Sequence, residues 1–224
     1  MHARRTLIGL VLLAGLAAPQ AAQAAVLAPL APCYRSVNEA SRENVGVQAS
    51  GFTPGADIDV YIDGVLIQAG VRALPDGTVS GSVDAPYQGF GQRPFTLTVT
   101  ERETPGNTAS ATSLVTALDM RLKPRRTAPH RRVRFLGRGF TDGEEVFGHY
   151  LRRGKLRRTV SLGAPQGPCG RVDVRRRQIP VRNPHVGRWI LQVDNEPEYT
   201  RDPLGVSVEV PITVRRVVRG KRSP

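Results

Sequence analysis

The 224-residue sequence is poor in the residues from which most metal and covalent active sites are built. It has two cysteines, four histidines and one tryptophan, and aromatic residues make up only 5% of the chain. Two cysteines without clustered histidines cannot form a zinc site. Beyond the N-terminal segment, no run of 18 apolar residues occurs that would predict a membrane-spanning helix. We therefore predict no metal and no cofactor.

Glycine, proline and arginine are abundant by contrast. The 23 glycines and 18 prolines favour short strands joined by turns over long helices. Arginine outnumbers lysine by 29 to 3, and the formal net charge is +13. A coding bias would explain the arginine content without any ligand. A planar guanidinium also binds phosphate and carboxylate through two hydrogen bonds, which a lysine ammonium does not.

The first 24 residues have the pattern of an export signal. A short basic start precedes an apolar run, Leu7–Ala18, and Ala22-Gln23-Ala24 is a small-residue cleavage site. Two alternatives to an ordinary secretory signal stay open. Arg4-Arg5 resembles a twin-arginine signal, and Leu30–Cys33 resembles a lipobox with a proline at its small-residue position, which would make Cys33 a site of lipid attachment. We expect a secreted or extracellular protein, with association with the cell wall as a further option.

Export places Cys33 and Cys169 where disulfides persist. We predict that they form one bridge, the alternative being two separate buried thiols. The bridge would close a loop of 136 residues and tether the start of the exported chain to its second half.

An internal repeat sets the predicted architecture. Gly51–Gly55 (GFTPG) recurs 88 residues later as Gly139–Gly143 (GFTDG), and Phe95–Val99 has a counterpart 94 residues later in Trp189–Val193. A period of this length indicates two consecutive domains of one fold. The predicted segments are an export signal (1–24), a first domain (25–118), a second, basic domain (119–217) and a basic tail (218–224).

Within each copy the hydrophobic period is two. Ile58, Val60 and Ile62 alternate with polar residues, and Asp63-Gly64 is a signal for a two-residue type I′ hairpin turn. About seven such short strands in about 90 residues is typical of a β-sandwich. The sequence therefore predicts an all-β protein with two tandem antiparallel β-sandwiches.

Three aspartates, Asp57, Asp59 and Asp63, share one face of the strand that precedes this turn. Alternate residues of a strand lie about 6.6 Å apart, which is too far for the three to bind one calcium ion. We predict that they form the solvent-exposed face of the strand.

The turn motifs resemble those of secreted bacterial immunoglobulin-like (IPT-like) repeat modules. The resemblance rests on Gly51–Gly55, the Asp63-Gly64 hairpin, Asp76–Ser80 and Asn107–Ser110, and it extends more loosely over the second copy. It implies that both sandwiches are Ig-like and that the protein is a spacer, adhesion or binding module. Fold alone does not give function.

The excess positive charge lies in the second half of the chain. Residues 25–118 have 5 arginines against 9 acidic residues, a net charge of −4, whereas residues 119–224 have 25 basic residues against 10 acidic ones, a net charge of +15. A solvated surface without a ligand would explain this, but so would binding to an anionic cell-wall or extracellular polymer. Export argues against nucleic acid. The candidate polyanion-binding residues form two clusters. The first is Arg152, Arg153, Lys155, Arg157 and Arg158, which we expect to project from a turn, and the second is Arg175, Arg176 and Arg177, which we expect at a strand end or in an exposed loop.

No catalytic constellation is recognisable. His130, His149 and His185 lie in no context typical of a catalytic base. We therefore predict a non-catalytic secreted or cell-surface protein that acts as a structural or binding module. The alternative is an exported enzyme or inhibitor whose active loops lie in an insertion of the second domain, Gly163–Gly170.

Overall fold

The computed structural model describes residues 24–125, 127–201, 203 and 206–215. These residues contain strands and turns but no helix, so the all-β prediction is confirmed. The strands are β1 (Val26–Leu27), β2 (Tyr34–Ser36), β3 (Asn44–Ser50), β4 (Asp57–Ile62), β5 (Val65–Arg72), β6 (Val79–Asp84), β7 (Gln92–Glu101), β8 (Thr108–Ala117), β9 (Asp119–Lys123), β10 (Arg132–Arg138), β11 (Val146–Arg152), β12 (Lys155–Gly163), β13 (Val172–Arg177), β14 (Gly187–Asp194) and β15 (Val208–Val214).

The strands form four sheets that pack as two sandwiches. The first sandwich has a sheet of order β1-β3-β6 and a sheet of order β2-β8-β7-β4-β5. The second has β13-β10-β9 and β12-β11-β14-β15. Apart from β2, which pairs parallel to β8, each strand of the first sandwich has a counterpart at the same place in the second.

Each sandwich has its own hydrophobic core, filled from both of its sheets. Alternation along the strands supplies most of these side chains, because every second residue of a half-buried strand faces the opposite sheet. Phe140 and Ile179 come instead from the segments that follow β10 and β13. The largest fully buried members of the first core are Phe95, Ile58 and Leu97. Those of the second are Trp189, Tyr150, Phe135, Phe140, Leu162, Ile179 and Leu191.

The two sandwiches are joined closely. β8 ends at Ala117 and β9 begins at Asp119, so one residue separates them. The predicted Cys33–Cys169 disulfide is confirmed, and it links the segment before β2 to the second sandwich. Beside it, Arg35 donates hydrogen bonds to Asp142 Oδ2 at 2.6 Å and Thr141 Oγ1 at 3.1 Å.

Not every prediction on organisation is tested by the structure. The domain limits 25–118 and 119–217 stay predictions. The export signal, apart from Ala24, and the basic tail 218–224 lie outside the described residues.

The turn after β4 has the predicted conformation. Asp63 and Gly64 adopt φ angles of 51° and 79°, the left-handed pair that a type I′ turn needs. The turn between β11 and β12 has the same character, with Arg153 at 52° and Gly154 at 71°.

The prediction of an exposed aspartate face on β4 is wrong for Asp59. Its carboxylate is buried and accepts hydrogen bonds from Arg102 Nη2 at 2.6 Å and from the Gly70 backbone N–H at 2.9 Å. The hydrogen bond from Arg102 lowers the pKa of Asp59, although burial opposes it. Arg102, which is distant in sequence, therefore shields Asp59 from solvent, although the alternation of residues along β4 places Asp59 on the solvent side.

Candidate polyanion-binding surface

The first predicted cluster lies on the hairpin formed by β11 and β12. The expectation that these charges all project from the turn is wrong. The turn has only two residues, and the cations on either side of it belong to the paired strands β11 and β12. Arg152 pairs with Lys155, and Arg158 pairs with Tyr150. Arg157 is the extra residue of a bulge between the Leu151–Leu156 and Tyr150–Arg158 pairs. Only Arg153 lies in the turn itself.

The second predicted cluster lies at the end of β13, as expected. Arg175, Arg176 and Arg177 are the last three residues of this edge strand, and all three are exposed. Their neighbours across the ladder are residues of β10, and Arg177 is directly opposite Arg132. Arg132 was not among the predicted candidates, because its place opposite Arg177 depends on the register of two strands that are far apart in sequence.

The fold brings one member of the first cluster, Arg158, to the same side of the second sandwich as the second cluster. β12 and β13 are edge strands of its two sheets, and they contact each other. Tyr150 is a core residue, so Arg158, which pairs with it, lies on the side of β12 that faces the other sheet. Val172 and Val174 of β13 face the core, and Arg176 is the next residue on the same side of that strand.

A hollow of about 340 Å³ lies where these edges meet. Four arginines surround it, and Val160 of β12 and Pro180 supply apolar surface. We call five arginines of this region the arginine seam, defined as Arg132 of β10, Arg158 of β12, and Arg175, Arg176 and Arg177 of β13.

Asp173 neutralises two cations next to the seam, Arg134 and Arg171, but none in it. Asp173 accepts hydrogen bonds from Arg134 Nε and Arg171 Nη2, both at 2.6 Å. The hydrogen bond from Arg134 is the main reason why the pKa of Asp173 is lowered to about 2. Among the described residues, no carboxylate lies within ion-pair distance of the five seam arginines.

The unpaired cations of the seam have an energetic cost. Like charges directly opposite each other on antiparallel strands destabilise a sheet, and Arg132 and Arg177 are such a pair. The corresponding positions of the first sandwich are Asn44 and Asp84, and Asp84 accepts a hydrogen bond from Arg42 at 2.8 Å. The seam therefore has two unpaired positive charges at the strand positions where the first sandwich has one neutral residue and one ion-paired aspartate.

His149 takes part in a buried polar network. Its ring is fully buried, with Nδ1 2.9 Å from Thr159 Oγ1 and Nε2 3.0 Å from Asp194 Oδ1. Burial raises the pKa of Asp194, but hydrogen bonds from His149 and Gln192 outweigh it, and the net shift is downward. The Glu196 backbone N–H also donates to Asp194 Oδ1, so the network secures the loop that follows β14. The sequence alone gave no signal for this arrangement.

The Gly163–Gly170 loop of the alternative hypothesis is anchored at its end. Cys169 forms the disulfide, and a Cβ on Gly170 would lie 2.1 Å from the backbone oxygen of Phe140. Within the part of the chain that the structure describes, no group of three metal-ligating side chains is present. No helix in that part is long and apolar enough to cross a membrane.

Neither a family model nor a curated protein matches the sequence. Solved structures do match, although the TM-scores are low and the chain spans about half the length of each. One is described as a Ca²⁺-stabilised adhesin with which an Antarctic bacterium binds ice (TM-score 0.35, 13% identity, 87% of this chain and 48% of that one). A second is a putative membrane-anchored protein from Corynebacterium diphtheriae (TM-score 0.33, 11% identity, 86% and 57%).

A third match is a Bacteroides ovatus protein, SGBP-B of a mixed-linkage glucan utilization locus, in complex with a mixed-linkage heptasaccharide (TM-score 0.23, 13% identity, 86% of this chain and 48% of that one). Likenesses of this extent do not identify a family or a function for the chain.

Proposed function

We propose that the protein is a non-catalytic, exported binding protein whose second sandwich holds an anionic cell-wall or extracellular polymer along the arginine seam. The observation that supports this most directly is the Arg132–Arg177 pair, two cations directly opposite each other without a described acidic partner. Residue pairs that destabilise the fold, such as two like charges directly opposite each other in a sheet, are found most often at functional sites.

The geometry of the seam suits a polymer better than a single small anion. Its arginines lie on the edge strands β12 and β13 and on β10, the neighbour of β13, and all five are exposed. Guanidinium groups form paired hydrogen bonds with phosphate, sulfate or carboxylate groups, and a row of them can follow a repeating charge. The first sandwich, with its net charge of −4, would then act as a spacer or as a face for another partner.

The test replaces three seam arginines by serine: Arg132, Arg158 and Arg177. Since each cation near an anionic surface contributes about 1 kcal/mol, we expect the triple variant to bind immobilised polyphosphate about 100-fold more weakly. The slope of binding against salt concentration should become shallower as well. Affinity is measured by biolayer interferometry at several salt concentrations.

The matched control removes the same charge elsewhere in the second sandwich. Arg125, Arg201 and Arg215 are exposed and lie outside the seam, and their triple serine variant should lose much less affinity. If both triple variants lose affinity equally, only net charge matters and the seam is not a site. If neither loses affinity, the proposed function is wrong.

A further inference from the structure

A second surface of the same sandwich combines an apolar floor with arginines. On the outer face of the sheet β12-β11-β14-β15, four residues lie side by side across the four strands. Leu156 pairs with Leu151, Leu151 with Ile190, and Ile190 with Pro211. Directly paired residues share a face, so these four form one apolar row about 14 Å long.

The row is recessed at its centre and open at its ends. Leu151 is 6% exposed and Ile190 is half-buried, whereas Leu156 is 43% exposed. Leu151 and Ile190 form part of the lining of a hollow of about 500 Å³. We call this surface the outer groove, defined as the apolar row with the hollow above it.

Arginines border the outer groove on the side of the hairpin tip. Arg152, Arg153 and Arg188 line the hollow, and Arg188 lies two residues from Ile190, on the same face. Arg152 Nη2 donates a hydrogen bond to the Val186 backbone oxygen at 3.2 Å, which holds its guanidinium at this border. Glu209 lies on the opposite side of the row, since it pairs with Gln192.

We infer that the outer groove binds a ring-bearing anionic unit, so that the polymer is an acidic polysaccharide; this rests on the proposed function. A sugar ring has an apolar C–H face that can cover Leu151 and Ile190 while its phosphate, sulfate or carboxylate group contacts Arg153 and Arg188. A polyphosphate chain has no such face. A bilayer surface fits less well, because the centre of the floor is recessed rather than protruding.

The test separates ring contacts from charge. Ile190→Thr keeps the β-branched shape that suits a strand and removes apolar surface from the floor. We expect it to weaken binding to heparin, a sulfated polysaccharide, at least about fourfold, because fourfold corresponds to one buried carbon and the substitution removes one carbon and replaces a second by a hydroxyl. Binding to polyphosphate should stay unchanged, and thermal unfolding of the variant checks that the fold is intact.

Four further outcomes would overturn the inference or the proposed function. An equal loss of affinity for heparin and polyphosphate, or no loss for either, overturns the inference. A loss of affinity for phosphatidylglycerol vesicles with heparin binding unchanged assigns the groove to a membrane and also overturns it. The seam triple variant should lose affinity for both polymers, and if it loses neither, the proposed function fails even where Ile190→Thr behaves as expected.

Discussion

The β4–β5 hairpin of the first sandwich and the β11–β12 hairpin of the second have the same backbone design. Each has a two-residue turn with two left-handed residues, then two ladder pairs, then a one-residue bulge. Their side chains differ, since the first hairpin continues after its turn with Val65, Leu66, Ile67 and Gln68, and the second with Lys155, Leu156, Arg157 and Arg158.

The comparison shows that the shape of this edge does not depend on the side chains that it displays. Val65, Leu66 and Ile67 are 62%, 49% and 48% exposed, so they contribute little to the first core. The turn conformation and the bulge set the hairpin, and the side chains at its exposed positions can differ without changing it. One edge is therefore apolar and the other cationic on the same framework.

The largest expected effect tests whether the two cores are separate. Phe140→Ala should lower the free energy of unfolding of the second sandwich by roughly 3–5 kcal/mol, because it leaves a cavity at a fully buried position. Trp189, the one tryptophan of the chain, lies in that core, so its fluorescence in urea reports the transition.

Phe52→Ala is the matched change in the first core, where Phe52 is also buried. It should leave the Trp189 transition nearly unchanged. If it shifts that transition as much as Phe140→Ala does, the two sandwiches unfold as one unit and the comparison between them loses its basis.

A smaller effect concerns the acid that neutralises the cations beside the seam. The pKa of Asp173 is about 2 in the folded protein, below its ordinary value of 3.8, because Arg134 donates to its carboxylate. The interaction of the ionised Asp173 carboxylate with Arg134 therefore stabilises the fold fully above about pH 4, and this stabilisation is lost as the pH falls through about 2. Asp173→Asn should be less stable than the parent at pH 7, and the difference should disappear towards pH 2.

Urea unfolding at a series of pH values measures this difference. Glu198→Gln, the same acid-to-amide change at an exposed loop position, serves as the matched control. A stability difference for Asp173→Asn that stays constant down to pH 2 would contradict the assigned role of this carboxylate.

The smallest expected effect is a gain in stability. Arg177→Ser removes one member of the Arg132–Arg177 pair, and we expect the free energy of unfolding to rise by about 0.5 kcal/mol in low salt. Screening should reduce the gain at high salt. Arg201→Ser, which removes an exposed arginine outside the seam, should give no comparable gain. A loss of stability on Arg177→Ser would mean that the seam arginines support the fold.

Several elements could be predicted because their causes are local. Alternation places Ile58, Val60 and Ile62 in the core, and Asp63-Gly64 supplies the left-handed residues that the turn requires. The prediction for Asp59 was wrong because its surroundings depend on Arg102, 43 residues away, which no local pattern reveals.

The candidate site was predicted only as two separate clusters. Arg157 and Arg158 belong to one edge strand and Arg175–Arg177 to another, and nothing in the spacing of the residues shows that the two edges meet. The outer groove was not predicted at all, since Leu156, Leu151, Ile190 and Pro211 come from four strands and become neighbours only through their register.

The order of residues by itself determined the all-β character, the position of the hairpin turn and the half of the chain that carries the positive charge, because these follow from backbone preferences, from a period of two and from composition. The tertiary structure alone decided which charges face each other and which stay unpaired. Electrostatic and packing contacts act over a few ångströms in space, whatever the number of residues between the partners, and so they exist only once the sheets have paired and packed.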